Sequence, residues 1–168
     1  MKIGILGGSF DPAHKGHLAI SKEAKRKFKL EKIIWAVTKK NPLKAKSNTP
    51  ISKKIKDCKK IIGLNSFIKV KFYENIIKSN KTIDLINYLK KDKKIEIFFL
   101  MGADNLINFH KWFKFKLISQ KCNIIVFDRH GYKKNSLKSK TFKRLNNKTL
   151  TFVEFKKVNI SSSQLRKI

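Results

Sequence analysis

Cysteine is scarce in this sequence, in which Cys58 and Cys122 are the only two. Neither belongs to a C-x-x-C pair, which argues against a thiol redox motif and a cysteine-based zinc site. We therefore expect two reduced thiols in a cytoplasmic protein. Long apolar runs are also missing, because none approaches the roughly 18 residues that span a bilayer. Met1-Lys2 leads directly into a predicted strand, so we expect neither a signal peptide nor a membrane partner.

Acidic residues are few, at 11 against 41 basic ones, and the net charge is +30. Only four of the basic residues are arginine, whereas lysine, isoleucine, asparagine and phenylalanine make up half the chain. All four of those types have A/T-rich codons, and the lysines are spread over the whole length. We interpret the charge mainly as the result of compositional drift, with the lysines on solvated surfaces. We do not expect a nucleic-acid partner. A polyanion partner, or a field that steers anionic substrates, remains an alternative.

Short apolar runs alternate with helical stripes along the chain. Continuous apolar runs predict buried parallel strands, and apolar residues spaced every three or four positions predict helices. The alternation predicts a single α/β domain over residues 1–168, with a Rossmann-like, doubly wound, mainly parallel sheet of about six strands and helices on both faces. The predicted strands are 3–6, 33–37, 67–72, 95–101, 124–127 and 150–155; the predicted helices begin near Gly16, at Thr49-Pro50, at Thr82 and at Trp112.

Four residues directly follow predicted strands: Gly7, Thr38, Gly102 and Arg129. In parallel sheets, ligands bind beyond the carboxyl ends of the strands, at a switch in strand order. We therefore expect these four residues to converge on one edge of the sheet.

The stretch GGSFDPAHKGH, residues 7–17, is the most distinctive part of the sequence. Gly7 and Gly8 allow main-chain N–H groups to approach a phosphate, and the following helix points its positive end at the same place. His14 and His17 are three residues apart, so both rings can reach one anionic group. A plain turn, two exposed histidines and half of a metal site are alternatives, and the stretch matches neither dinucleotide nor P-loop patterns.

The same stretch is similar to the G-G-[ST]-F-D-P-x-H-x-G-H motif of the nucleotidylyltransferase superfamily, and ISSSQLR (160–166) resembles its I-S-S-T-x-x-R motif. NPLK (41–44), MGADNL (101–106), FHKW (109–112) and DRHGY (128–132) resemble the nicotinate-nucleotide adenylyltransferases, particularly their alphaproteobacterial form. The resemblance covers nearly the whole chain.

This resemblance implies that ATP and nicotinate mononucleotide are joined to give nicotinate adenine dinucleotide and pyrophosphate. It implies Mg²⁺ carried in with ATP and no metal site of the protein's own. The implied catalytic residues are His14, His17 and Arg166. The implied ATP-binding residues are Gly7, Gly8, Ser9, Phe10, His14, Gly16, His17, Ile160, Ser161, Ser162, Ser163 and Arg166, and the implied mononucleotide-binding residues are Lys44, Thr82, Asp104, Trp112 and Arg129.

Structural roles remain open for several of these residues. Thr82, Asp104 and the serines at 161–163 are also typical helix N-caps. Trp112 is either a core residue or an aromatic plate for a flat pyridine ring.

The sequence departs from the family pattern at three places. Lys81 stands where the family usually has tyrosine, and His130 where it usually has proline. The sequence ends two residues after Arg166, so we expect the usual C-terminal helical segment to be lacking. Alternative functions are a phosphopantetheine adenylyltransferase, whose loop usually has a T-x-G-H form, and a basic nucleic-acid-binding module on the same fold.

Overall fold

The computed structural model describes residues 1–39, 49–128 and 150–154. Six strands form one sheet in the order β3-β2-β1-β4-β5-β6, and every neighbouring pair is parallel. The strands are β1 (Lys2–Gly8), β2 (Lys32–Val37), β3 (Ile68–Lys71), β4 (Glu96–Gly102), β5 (Asn123–Asp128) and β6 (Leu150–Glu154). The predicted strands therefore all form, and the order reverses between β1 and β4, the switch point at which such sheets bind ligands.

Strand β1 lies at the centre of the sheet, between β2 and β4, and most of its side chains are buried. Ile5 pairs with Ile34 of β2 on one side and with Phe99 of β4 on the other. Gly4 allows close packing beneath the strand, since a Cβ atom at this position would lie 2.9 Å from Leu30 Cδ1. The central strand is thus fixed tightly before it reaches Gly7.

Helices cover both faces of the sheet, as the alternation of patterns predicts. One apolar cluster joins β-strand residues to Ile20 of the first helix and Cys58 of the second, and another includes Ile86 and Leu106 from later helices. The helices are α1 (Lys15–Phe28), α2 (Ile51–Ile62), α3 (Glu74–Ile77), α4 (Thr82–Leu89), α5 (Ala103–Phe109) and α6 (Phe115–Lys121). In the described part of the chain, no helix is long and apolar enough to cross a membrane.

Two predicted helix starts were wrong. Helix α2 begins at Ile51 with Pro50 as its N-cap, and the hydroxyl of Thr49 instead donates to Asp11 Oδ1 at 2.7 Å. Trp112 precedes helix α6, which begins at Phe115. The reason is that Lys114 adopts a left-handed conformation, with φ of 53°, which starts a new helix there.

Thr82 is the first residue of α4, and the N-cap is Lys81. The nearby Ser79 hydroxyl accepts a hydrogen bond from the Lys81 main chain and donates one to Asp84 Oδ2. Asp104 likewise lies inside α5, whose N-cap is Gly102. Neither Thr82 nor Asp104 therefore serves as an N-cap.

Candidate active site

A cavity of about 440 Å³ opens at the carboxyl ends of the strands, next to the switch point. This volume lies within the range of small-molecule sites. Gly7, Thr38 and Gly102 all line it, so three of the four residues expected to converge do so, and Arg129 lies outside the described residues. The polar and glycine residues in the lining are Gly7, Gly8, Ser9, His17, Thr38, Tyr73, Glu74, Ser79, Asn80, Lys81, Thr82, Gly102, Asn105, Lys111 and Trp112.

Gly7 and Gly8 end strand β1 as bare main chain in the cavity wall. A Cβ atom at Gly7 would meet only the Phe99 ring within 4 Å, at 3.7 Å, so protein packing leaves space there. The positive end of α1 begins close by, at Lys15. Together these features suit a phosphate, because the glycines let it approach closely and a helix N-terminus favours negative charge.

His14 and His17 form a reciprocal cap at the start of α1. The main-chain N–H of Gly16 donates to His14 Nδ1 at 3.0 Å, and that of His14 donates to His17 Nδ1 at 3.1 Å. Because each Nδ1 accepts a hydrogen bond, the neutral form of each ring carries its proton on Nε2. Both imidazoles are thereby fixed as Nε2–H donors, and their ring centroids lie only 3.9 Å apart.

The two histidines differ in exposure. His17 lines the cavity, whereas His14 is buried, with 5% of its surface exposed. The alternative of two exposed histidines is therefore wrong for His14. The predicted contact of His14 with ATP stays a prediction, and its main structural role is to hold His17 and the first turn of α1.

Phe10 and Trp35 support His17 from the core. The Phe10 ring is 2% exposed, stacks on Trp35 with centroids 5.1 Å apart, and lies 4.6 Å from the His17 ring. Trp35 Nε1 donates to Ser21 Oγ at 2.8 Å, and Ser21 Oγ donates to the His17 carbonyl at 2.8 Å. The Phe10 side chain thus packs under the histidine instead of lining the cavity.

The main chain of Gly16 is occupied within the protein, because its N–H is the one that His14 accepts. Gly16 is also buried and lies outside the described cavity lining. Its predicted role in ATP binding stays a prediction, as do those of Gly7, Gly8 and Ser9, which line the cavity.

Thr82 and Trp112, both predicted to bind the mononucleotide, line the same cavity as the glycines. The Trp112 ring is half-buried and packs nearly perpendicular to Phe99 and Phe109, with centroids at 5.9 and 5.1 Å. Trp112 thus packs against the core and also lines the cavity. Its role as an aromatic plate for a pyridine ring stays a prediction. Asp104 lies outside the described lining, where its neighbour Asn105 is present instead.

Sequence reasoning missed Thr38 Oγ1 and Glu74 Oε1, two buried oxygen atoms without a hydrogen-bond partner among the described residues. Both residues line the cavity. Burial raises the pKa of the Glu74 carboxyl, and a main-chain hydrogen bond from Lys39 and the charges of Lys39 and Lys54 oppose this increase. Apart from the position of Thr38 after a strand, no sequence pattern indicated these atoms.

Two cationic side chains, Lys81 and Lys111, also line the cavity. Lys81 stands at the position where the family usually has tyrosine. The described residues contain no group of three or more histidine, cysteine or carboxylate side chains that could hold a metal ion. The predicted site residues Lys44, Arg129, Ile160, Ser161, Ser162, Ser163 and Arg166 lie outside the described residues.

Comparison with known proteins agrees with this geometry. The cytidylyltransferase-like family model matches residues 5–168. A protein of Pelagibacter ubique (strain HTCC1062), named probable nicotinate-nucleotide adenylyltransferase, is 68% identical over 167 residues, which cover 99% of this chain and 93% of that protein. A protein of the same name from Bradyrhizobium sp. (strain ORS 278) is 35% identical over 130 residues, covering 77% of this chain and 68% of that protein.

Solved structures show the same fold. The nicotinic acid mononucleotide adenylyltransferase of Plasmodium falciparum complexed with NaAD matches with a TM-score of 0.82 and 21% identity, over 99% of this chain and 82% of that one. The same enzyme complexed with APC matches with a TM-score of 0.80. By its family match and its similarity to curated relatives, the chain belongs to the cytidylyltransferase-like family and, within it, to the nicotinate-nucleotide adenylyltransferases.

Proposed function

We propose that this protein joins ATP and nicotinate mononucleotide to give nicotinate adenine dinucleotide and pyrophosphate, a step of NAD biosynthesis. The observation that carries the proposal is one cavity lined by a bare glycine main chain, by His17 and by Thr82 and Trp112. The first two suit phosphates, and Thr82 and Trp112 suit a pyridine ring. The 68% identical relative, which is named probable nicotinate-nucleotide adenylyltransferase, supports this assignment.

The reaction is an in-line displacement at phosphorus. A phosphate oxygen of the mononucleotide forms a bond to the α-phosphorus of ATP, and the bond from that phosphorus to the β-phosphate bridging oxygen breaks. The electron pair leaves with pyrophosphate. No side-chain nucleophile is needed, so positioning and stabilisation of charge account for the rate.

His17 stabilises the charge that develops on the phosphoryl oxygens, because its Nε2–H donor is fixed before substrate arrives. The N-terminus of α1 favours negative charge at the same end of the cavity, where Gly7 and Gly8 leave room for a phosphate. His14 acts on this site through His17 and the first turn of α1. Arg166, which lies outside the described residues, would hold the outer phosphates of ATP.

The pyridine ring packs against Trp112, and Thr82 provides a hydroxyl beside it. Lys44, Asp104 and Arg129 stay as further candidates on this substrate. Mg²⁺ enters as part of the ATP substrate and keeps its phosphate and water ligands, as this ion prefers. We further propose that the reaction takes place in the cytoplasm, where the free thiols of Cys58 and Cys122 would remain reduced.

Pyrophosphate release tests the proposal directly. The full chain is incubated with ATP, Mg²⁺ and one of three acceptors: nicotinate mononucleotide, nicotinamide mononucleotide or phosphopantetheine. We expect release with nicotinate mononucleotide, and product identified as the dinucleotide by mass. Release only with phosphopantetheine would support that alternative enzyme. No release with any acceptor, together with DNA or RNA binding that weakens steeply with salt, would support the nucleic-acid-binding alternative.

A further inference from the structure

Lys54 is a buried cation that the proposed reaction does not yet use. It lies in the first half of helix α2, and only 1% of its surface is exposed. Lysine is almost never fully buried unless its ammonium group is bound. The position of this charge therefore requires partners nearby.

The ammonium group of Lys54 binds the main chain where strand β2 ends. Nζ donates to the carbonyl oxygen of Thr38 at 3.1 Å and to that of Lys39 at 3.3 Å. The N–H of Thr38 in turn donates to the carbonyl of Gly8 at 3.0 Å. The end of β2 is thus bound to α2 on one side and to the glycine segment of β1 on the other.

This anchored segment forms part of the cavity wall. Thr38 and Glu74 both line the cavity, and the positive charge of Lys54 acts on the Glu74 carboxyl. Lys54 therefore fixes the part of the cavity wall in which Thr38 and the adjoining Gly8 lie.

We propose that Lys54 is a positioning residue for the ATP substrate, acting through the main chain of Thr38 on the glycine segment of β1. This inference rests on the proposed function for the identity of that substrate. A stability role alone explains the arrangement poorly, because well-packed apolar residues often stabilise a protein as much as buried ionic groups do. What an ammonium group adds is two directed hydrogen bonds that fix the wall.

Lys54→Met removes the donors and keeps a long side chain, and Lys54→Gln keeps a neutral donor in case the first variant does not fold. Lys53→Met is the matched control on the same helix, because Lys53 pairs with Asp57 at 2.8 Å on the exposed surface. We expect the Lys54 variants to raise KM for ATP about tenfold, with smaller changes in kcat and in KM for nicotinate mononucleotide. The control should match the wild type.

Hydrogen exchange without substrate tests the anchor separately from the activity. We expect faster exchange of the Thr38 amide in both Lys54 variants and no change in Lys53→Met. If the wild type fails to use nicotinate mononucleotide, the proposed function fails while this exchange still tests the anchor. Unchanged exchange, or equal changes in both KM values, would overturn the positioning role.

Discussion

The indole N–H of Trp35 donates to the hydroxyl of Ser21 at 2.8 Å, and both residues are fully buried. This bond joins the second strand to the first helix directly beneath His17. Ser21→Ala would leave the indole N–H without that acceptor, at a cost of about 1–3 kcal/mol in unfolding free energy. Urea denaturation measures this change. Ser119→Ala, which removes an exposed serine hydroxyl from helix α6, is the control, and an equal effect there would contradict the assigned role of Ser21.

His17→Ala should lower kcat on the order of 100-fold or more, because it removes a donor fixed at the position of developing charge. The unfolding free energy should fall as well, by about 1 kcal/mol, because the His17 ring accepts the main-chain N–H of His14 at the start of α1. Steady-state pyrophosphate release measures kcat. His110→Ala is the control, because His110 lies outside the described cavity lining. A folded His17→Ala variant with normal turnover would remove this residue from the mechanism.

Trp112→Ala should mainly raise KM for nicotinate mononucleotide and leave KM for ATP nearly unchanged. The reason is that the proposed site places the indole against the pyridine ring and the adenine nucleotide at the glycine end of the cavity. Because Trp112 also contacts Phe99 and Phe109, some loss of stability is expected as well. Initial-rate measurements with each substrate varied in turn distinguish the two roles. Equal weakening towards both substrates would indicate a packing role alone.

The contribution of Glu74 to the free energy of unfolding should decrease as the pH rises. Burial raises the pKa of its carboxyl above the ordinary value of 4.5, so the folded state binds this proton more tightly than the unfolded state does. The contribution is fully present below pH 4.5 and is lost as the pH rises through the raised pKa.

Glu74→Gln should remove this pH dependence. We expect the stability of the wild type relative to the variant to fall as the pH increases above 4.5, measured by urea denaturation over a pH series. Glu31→Gln makes the same chemical change at an exposed position and serves as the control. If the difference in unfolding free energy between wild type and Glu74→Gln stays constant with pH, burial does not raise the pKa of this carboxyl.

The sheet could be predicted because its signals are local. Continuous apolar runs such as the one in β4 are long enough to identify strands, and helices with clear periodicity between them imply parallel pairing. The helix expected from Trp112 was wrong because apolar periodicity continues through a break in the backbone at Lys114, whose positive φ no side-chain pattern predicts. The four-residue helix α3 is too short for any periodicity to be visible.

The candidate site also has one part that the sequence predicts and another that it does not. Gly7, Gly8 and His17 lie in one contiguous motif, so their meeting at the cavity was predictable. Glu74 and Lys54 contact the end of β2 only through tertiary packing. In the sequence, neither can be distinguished from an ordinary charged residue on the surface. Their burial, which gives them their properties, depends on distant elements and is visible only in the folded chain.

Lys81 and Lys111 in the cavity wall have a consequence for the kinetics. Cationic walls speed the arrival of polyanions by long-range attraction, an effect that decreases as salt screens the charges. The same attraction acts on pyrophosphate after the bond to the α-phosphorus has broken, and so slows its departure. We therefore expect both substrate capture and pyrophosphate release to depend on the salt concentration.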